Sequence, residues 1–93
     1  MTGKEPIVET IIDRWTVPIY PLATGRILQW YAENATRVNE GERLYRFDYY
    51  PIPLTRDVPS PATGILYILV EADAETYISI TTKIAEIKKD VPV

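Results

Sequence analysis

The chain has 93 residues, enough for one domain with a modest core, and its 46% apolar and 25% charged residues are in ordinary globular balance. Its formal net charge of −3 leaves no basic footprint for nucleic acid or an anionic membrane. With neither cysteine nor histidine, it excludes a disulfide framework, Cys/His zinc sites and any nucleophile–histidine relay.

Residues 1–14 read as a short extension. Met1–Pro6 has no apolar core of a secretory signal, and the longest apolar run, Ile65 to Val70, is far too short to span a membrane. The expectation is a soluble, cytoplasmic protein. Ile7, Val8, Ile11, Ile12 and Trp15 fall at helical spacing behind Pro6. Four of the five are β-branched, which favours a strand, so a short helix and an added strand both stand. The stripe either covers an open end of the fold or binds a partner.

Residues 15–88 read as all-β. Ile27 to Tyr31, Arg43 to Phe47, Ile65 to Val70 and Tyr77 to Ile80 are rich in Ile, Leu, Val, Tyr and Trp. Gly25, Gly41 and Gly64 punctuate them as turns of positive φ would, and prolines 51, 53, 59 and 61 argue against helix. Trp15 and Trp30 are expected to be core, as are Leu69 and Ile84. The end of the chain, from Lys88 and Lys89 through Val93, is expected to fray.

An internal repeat organises this region. Ala23-Thr24-Gly25 recurs 39 residues later as Ala62-Thr63-Gly64, whereas Val38, Leu44 and Phe47 recur 40 residues later as Ile78, Ile84 and Ile87. One residue has been inserted between these two sets in the second half. Two copies of a strand-turn-strand unit predict two small antiparallel sheets related by a pseudo-twofold axis.

The motifs in this repeat resemble the biotinyl/lipoyl attachment-domain family (the barrel-sandwich hybrid), over about three quarters of the chain. Gly25, Trp30, Val38 and Gly41 stand where that family has a glycine, a strand tryptophan, a valine and a second glycine. Ser60-Pro61-Ala62-Thr63-Gly64 and Ile84-Ala85-Glu86-Ile87 match its Ser-Pro-x-x-Gly turn and closing Ile-Ala-x-Ile strand. The resemblance implies a flattened barrel or sandwich of two four-stranded sheets, with a modified lysine on the central hairpin. The departures are equally specific. The family's Gly-Asp turn is Ala35-Thr36 here, and its second-half counterpart around Asp73-Ala74-Glu75 also lacks glycine, so Asn34 or Asp73 is expected to supply the left-handed residue.

At the hairpin itself the attachment position falls at Pro51 counting from Gly41 and at Pro53 counting from Ser60. There is no lysine between Lys4 and Lys83. Lys83 is placed in the last strand, at a different part of the sandwich. No cofactor is therefore expected. The tip Tyr49-Tyr50-Pro51-Ile52-Pro53-Leu54 is instead a candidate protein-interaction loop, stiffened by its prolines; the alternative is that it folds back and closes the end of the sandwich.

Other residues carry less chemistry. Arg26, Arg37, Arg43, Arg46 and Arg56 suit interfaces, or else pair in solvent with Glu33, Glu40, Glu42, Asp48 and Asp57. Asp48 and Asp57 flank the hairpin, but nothing in the sequence drives their pKa values apart as acid–base catalysis requires. No catalytic or metal-ligating residue is assigned. The expected role is a non-catalytic, unmodified module bound to larger subunits of a multisubunit enzyme of carboxylase or acyl-transfer type. Two alternatives remain: a carrier that holds its cofactor non-covalently or at another residue, and a self-associating homo-oligomer.

Overall fold

The structure, a computed structural model, describes residues 15–90. Seven strands follow in order: β1 (Thr16–Ile19), β2 (Gly25–Trp30), β3 (Thr36–Val38), β4 (Arg43–Tyr49), β5 (Thr55–Pro59), β6 (Gly64–Ile68) and β7 (Ala85–Lys89). All pairings are antiparallel, in a four-stranded sheet ordered β1-β7-β6-β3 and a three-stranded sheet ordered β2-β4-β5. The fold is the expected all-β sandwich, built from two open sheets rather than a closed barrel. The expectations for the N-terminal extension lie outside the described residues.

The repeat is exact enough to read in the registers. Thr16↔Lys88 and Ile19↔Ala85 join β1 to β7, and their counterparts Thr55↔Asp48 and Val58↔Tyr45 join β5 to β4. Likewise Gly25↔Tyr49 and Ile27↔Phe47 are mirrored by Gly64↔Lys89 and Leu66↔Ile87. Alternation turns one side of the strands inward, burying Ile27, Val38, Phe47, Leu66, Ala85 and Ile87, and Ile84 is buried just ahead of β7. A bulge between Arg43 and Tyr45 breaks the alternation in β4, so Leu44 and Tyr45 are buried in succession. Burial pushes the Tyr45 hydroxyl pKa up to about 12. Tyr45 and Phe47 anchor a ladder of rings from Trp30 to Tyr49, with centroids 5.0, 6.0 and 5.2 Å apart.

The second half departs from the first where its extra residue lies. In the first half the Ala35 N–H bonds the Leu66 carbonyl, and Val38 pairs with Gly64 three residues on. In the second, the Asp73 N–H bonds the Ile27 carbonyl, and Ile78 meets Gly25 five residues on, two more than in the first half: one is the inserted residue, and the other arises because Asp73 is the repeat counterpart of Asn34 rather than of Ala35. The residues between are forced outward. They fold around the Asp73 carboxylate, which accepts from the Glu75 N–H at 2.8 Å and the Thr76 hydroxyl at 2.6 Å. The strand expected over Tyr77 to Ile80 is thus reduced to the single bridge at Ile78, and the segment from Leu69 to Tyr77 becomes a strap across β2.

Further expectations are corrected. Leu69 is not core: β6 ends at Ile68, and Leu69 is 52% exposed at the start of the strap. Trp30 is half-buried against the core and donates its indole N–H to the Val70 carbonyl at 3.0 Å, which ties the strap to β2. Trp15 is also half-buried, with the Lys89 ammonium 5.9 Å from its ring centroid. The left-handed residue in the first turn is Ala35, at φ 64°, while the Asn34 side chain accepts from the Ile68 N–H. Of the three punctuating glycines only Gly41 has positive φ, 92°. Gly25 and Gly64 lie in strands because the neighbouring chain passes too close for a Cβ: it would meet the Asp48 carbonyl and Phe47 at Gly25, and the Lys88 carbonyl and Ile87 at Gly64. Lys88 and Lys89 belong to β7, and Asp90 is held by Arg37 through two bonds of 3.1 and 2.7 Å, so the expected fraying does not begin there.

Candidate interaction site at the β4–β5 hairpin

The tip is shaped by where β4 stops. Tyr49, the last residue of β4, pairs with Gly25 and turns its ring onto Phe47, so it faces inward and is half-buried. Its N–H donates to the Leu54 carbonyl at 2.8 Å and closes the loop, within which the Leu54 N–H donates to the Ile52 carbonyl at 2.7 Å. The Tyr50–Pro51 peptide bond is cis. Of the six residues expected to form the surface, five stand outside: Tyr50 is 57% exposed, Ile52 62% and Leu54 39%, with Pro51 and Pro53 also exposed. Neither Pro51 nor Pro53, nor any other loop residue, offers an amine.

This loop rests on a base that the sequence did not reveal. The Tyr50 N–H bonds the Thr24 carbonyl at 3.0 Å, and the Tyr50 ring packs edge-on against Tyr77 at a 5.0 Å centroid distance. Tyr77 is available because the strap bulges outward there. The Arg26 guanidinium lies 5.2 Å from the Tyr77 centroid, donates to the Ala74 carbonyl at 2.8 Å and binds the Asp48 carboxylate. Asp48 also accepts from the Thr55 hydroxyl at 3.3 Å, which returns the connection to the start of β5. Both Arg26 and Asp48 were legible as charged residues near the hairpin; their partnership with Tyr77 depends on the outward bulge, for which no sequence motif exists.

The remaining arginines pair largely within the surface. Asp57 accepts from the Tyr31 hydroxyl at 2.6 Å and pairs with Arg43 at 3.2 Å and Arg46 at 3.1 Å, while the Arg43 guanidinium sits 4.7 Å from the Tyr31 centroid. Arg37 takes Asp90, which the sequence reading did not offer it. Of the expected acids only Asp48 and Asp57 serve as ion-pair partners; the Glu42 side chain accepts from the Asn39 N–H, and no ion pair joins Glu33 or Glu40 to an arginine among the described residues. Arg56 is exposed on β5 opposite Phe47, where a charge on the core-facing side of an edge strand discourages pairing with another chain.

Asp48 and Asp57 do not form a carboxylate pair, since each is occupied by its own arginines. The hydrogen bond from Arg26 holds Asp48 below the usual carboxylate range, and the one from Tyr31 does the same for Asp57. Lys83 lies in the turn ahead of β7. The Ile84 N–H bonds the Ile19 carbonyl at the end where β1 crosses to β2, which is the hairpin's end of the sandwich rather than a different part of it. Its ammonium is paired with Glu86 at 3.2 Å. Among the described residues no cluster of three metal-ligating side chains occurs, and no helix is long and apolar enough to cross a membrane.

No family model matches the chain, and no curated protein matches it. The site must therefore be interpreted from its own geometry.

Proposed function

We propose that this chain is a biotinyl/lipoyl-like module without a carrier amine, working as a non-catalytic docking subunit of a multisubunit enzyme of carboxylase or acyl-transfer type. The observation that carries this reading is the hairpin tip. Where a carrier would present its lysine, the loop presents Tyr50, Ile52 and Leu54 between prolines, all outward. Exposed aromatic and aliphatic anchors on a loop already tied to its base lose little conformational freedom on binding. Tyr50 is fixed by Tyr77 and the Thr24 carbonyl, so it is such an anchor.

The test is affinity capture from the native cell extract, using the wild-type chain and the double variant Tyr50→Ser/Ile52→Ser, with partners identified by mass spectrometry. Capture of large enzyme subunits by the wild type, lost in a variant with an unchanged circular dichroism spectrum, supports the reading. Equal capture by both, or recovery of the chain alone, overturns it.

A further inference from the structure

A pocket opens between the strap and β2 where the second half of the repeat departs from the first. In the first half β3 closes onto β6 through three consecutive rungs, Thr36↔Leu66, Arg37↔Ile65 and Val38↔Gly64. In the second, the strap meets β2 at the Asp73–Ile27 hydrogen bond and at the Ile78↔Gly25 bridge, with the chain between them pushed outward. The space left is about 260 Å³, walled by Ile27, Val70, Ala72 and Ile78 and completed by Glu71, Asp73 and Thr76. Trp30 and Arg26 already hold the strap through the Val70 and Ala74 carbonyls, so the pocket is formed before anything binds.

We infer that this pocket receives one apolar side chain of the docking partner, from a segment in which that side chain is flanked by lysine or arginine. The inference deepens the docking reading and rests on it for the ligand being a protein segment. Three observations carry it. The volume lies below the range of about 300–1,000 Å³ typical of small-molecule sites, which suits a single side chain entering apolar walls. The charge around it is negative: Glu71, Asp73 and Glu75 are all exposed on the strap, and none of the three joins an ion pair among the described residues. A basic segment is therefore attracted, and an acidic one is repelled. Finally, Tyr77 stands between the lining residues Thr76 and Ile78 while its ring packs on Tyr50, so the pocket adjoins the hairpin surface.

The test is an amide-resolved NMR titration of the full chain with the end-blocked tripeptide Lys-Leu-Lys, compared with Lys-Ser-Lys and Glu-Leu-Glu. The expected result is shifts at the amides of Ile27, Ala72, Thr76 and Ile78 that saturate in the millimolar range with Lys-Leu-Lys. Binding should be weaker by at least about 10-fold with Lys-Ser-Lys, which lacks the apolar side chain. Glu71→Gln/Glu75→Gln should weaken Lys-Leu-Lys by at least about 3-fold at low salt, and Ala72→Phe should abolish the shifts by filling the pocket. No shifts at these four amides, equal binding of Glu-Leu-Glu, or the same shifts on concentrating the protein alone, as a second copy in the pocket would give, would overturn the inference. Should Ala72→Phe fail to fold, the peptide comparison and the glutamate variant decide. Tyr50→Ser/Ile52→Ser should titrate as the wild type does, because a tripeptide seated in the pocket does not need the tip. The pocket and the tip can therefore fail separately, one in this titration and the other in the capture experiment.

Discussion

Arg26 faces Asp48 directly across β2 and β4, and its guanidinium binds that carboxylate while also reaching the Ala74 carbonyl of the strap. One side chain therefore fastens the strap from Leu69 to Tyr77 to the sheet beneath the hairpin. The same surface chemistry recurs at Asp57, Asp73 and Asp90, each held below the ordinary carboxylate range by its hydrogen-bond donors.

The first prediction concerns acid. A carboxyl whose folded pKa is depressed contributes stability that is fully present above its unfolded value, about 3.9, and is lost as pH falls through the lower folded value. Asp48, Asp57, Asp73 and Asp90 all act in this direction, with Arg26, Tyr31, Thr76 and Arg37 as their principal partners. The urea midpoint should be flat from neutral pH to about 5 and fall steeply below about 4. Asp48→Asn should shift the curve down at neutral pH and make its acid limb shallower; an unchanged limb would show that the Arg26 pairing does not persist in solution.

The second prediction concerns the strand glycines. Gly25→Ala and Gly64→Ala each drive a methyl group into the backbone of the adjacent strand, and each should destabilise by about 1–3 kcal/mol or more in denaturant titrations. Because the two sites are related by the repeat, their losses should be similar. A large difference between them would mean that one half relaxes around the intruding methyl.

Backbone conformation gives the third. Gly41→Ala has open space for the methyl but places it at φ 92°, so it should cost about 1–2 kcal/mol without any clash. Ala35→Gly removes the corresponding penalty at φ 64° and gives back part of it as chain entropy, for a net gain of about 0.5 kcal/mol. Thermal melts of the two variants should move in opposite directions.

A fourth contrast separates core from strap. Ile84→Ala, at 0% exposure, should cost about 2–5 kcal/mol. Leu69→Ala, at 52% exposure, should stay near the range of ordinary surface changes, about 0.5 kcal/mol. Equal losses would place Leu69 in the core after all.

How much of this was legible can be argued from particular residues. The repeat of Ala-Thr-Gly, Leu44 and Phe47 in the sequence reappears register by register, because a period-2 strand whose inner face is buried leaves no freedom to slip. Trp30 and Leu69 occupy equivalent places in the repeat but differ in fate. Trp30 has an N–H that finds the Val70 carbonyl, whereas β6 ends before Leu69 and leaves that side chain outside. The loop at the hairpin tip was readable from its prolines, but whether its side chains stand outward or fold back was not, and Tyr49 turns inward while Tyr50 to Leu54 are exposed. The loop's base of Tyr77 and Arg26 was not readable either, since it follows from how one additional residue is accommodated between Asp73 and Ile78.

Thr16 of β1 pairs with Lys88 of β7, a sequence separation of 72 residues, and among the described strands β1 pairs with β7 alone. During synthesis β1 is the earliest of the seven strands to be made and must wait for the latest before its ladder exists. The two halves of the repeat therefore do not fold as separate units in the way of stacked solenoid repeats, where each unit contacts only its neighbours. Closure of the four-stranded sheet is a late, non-local event. It ties completion of the fold to the arrival of Ala85–Lys89, and places this domain among the slower-folding, high-contact-order topologies despite its small size.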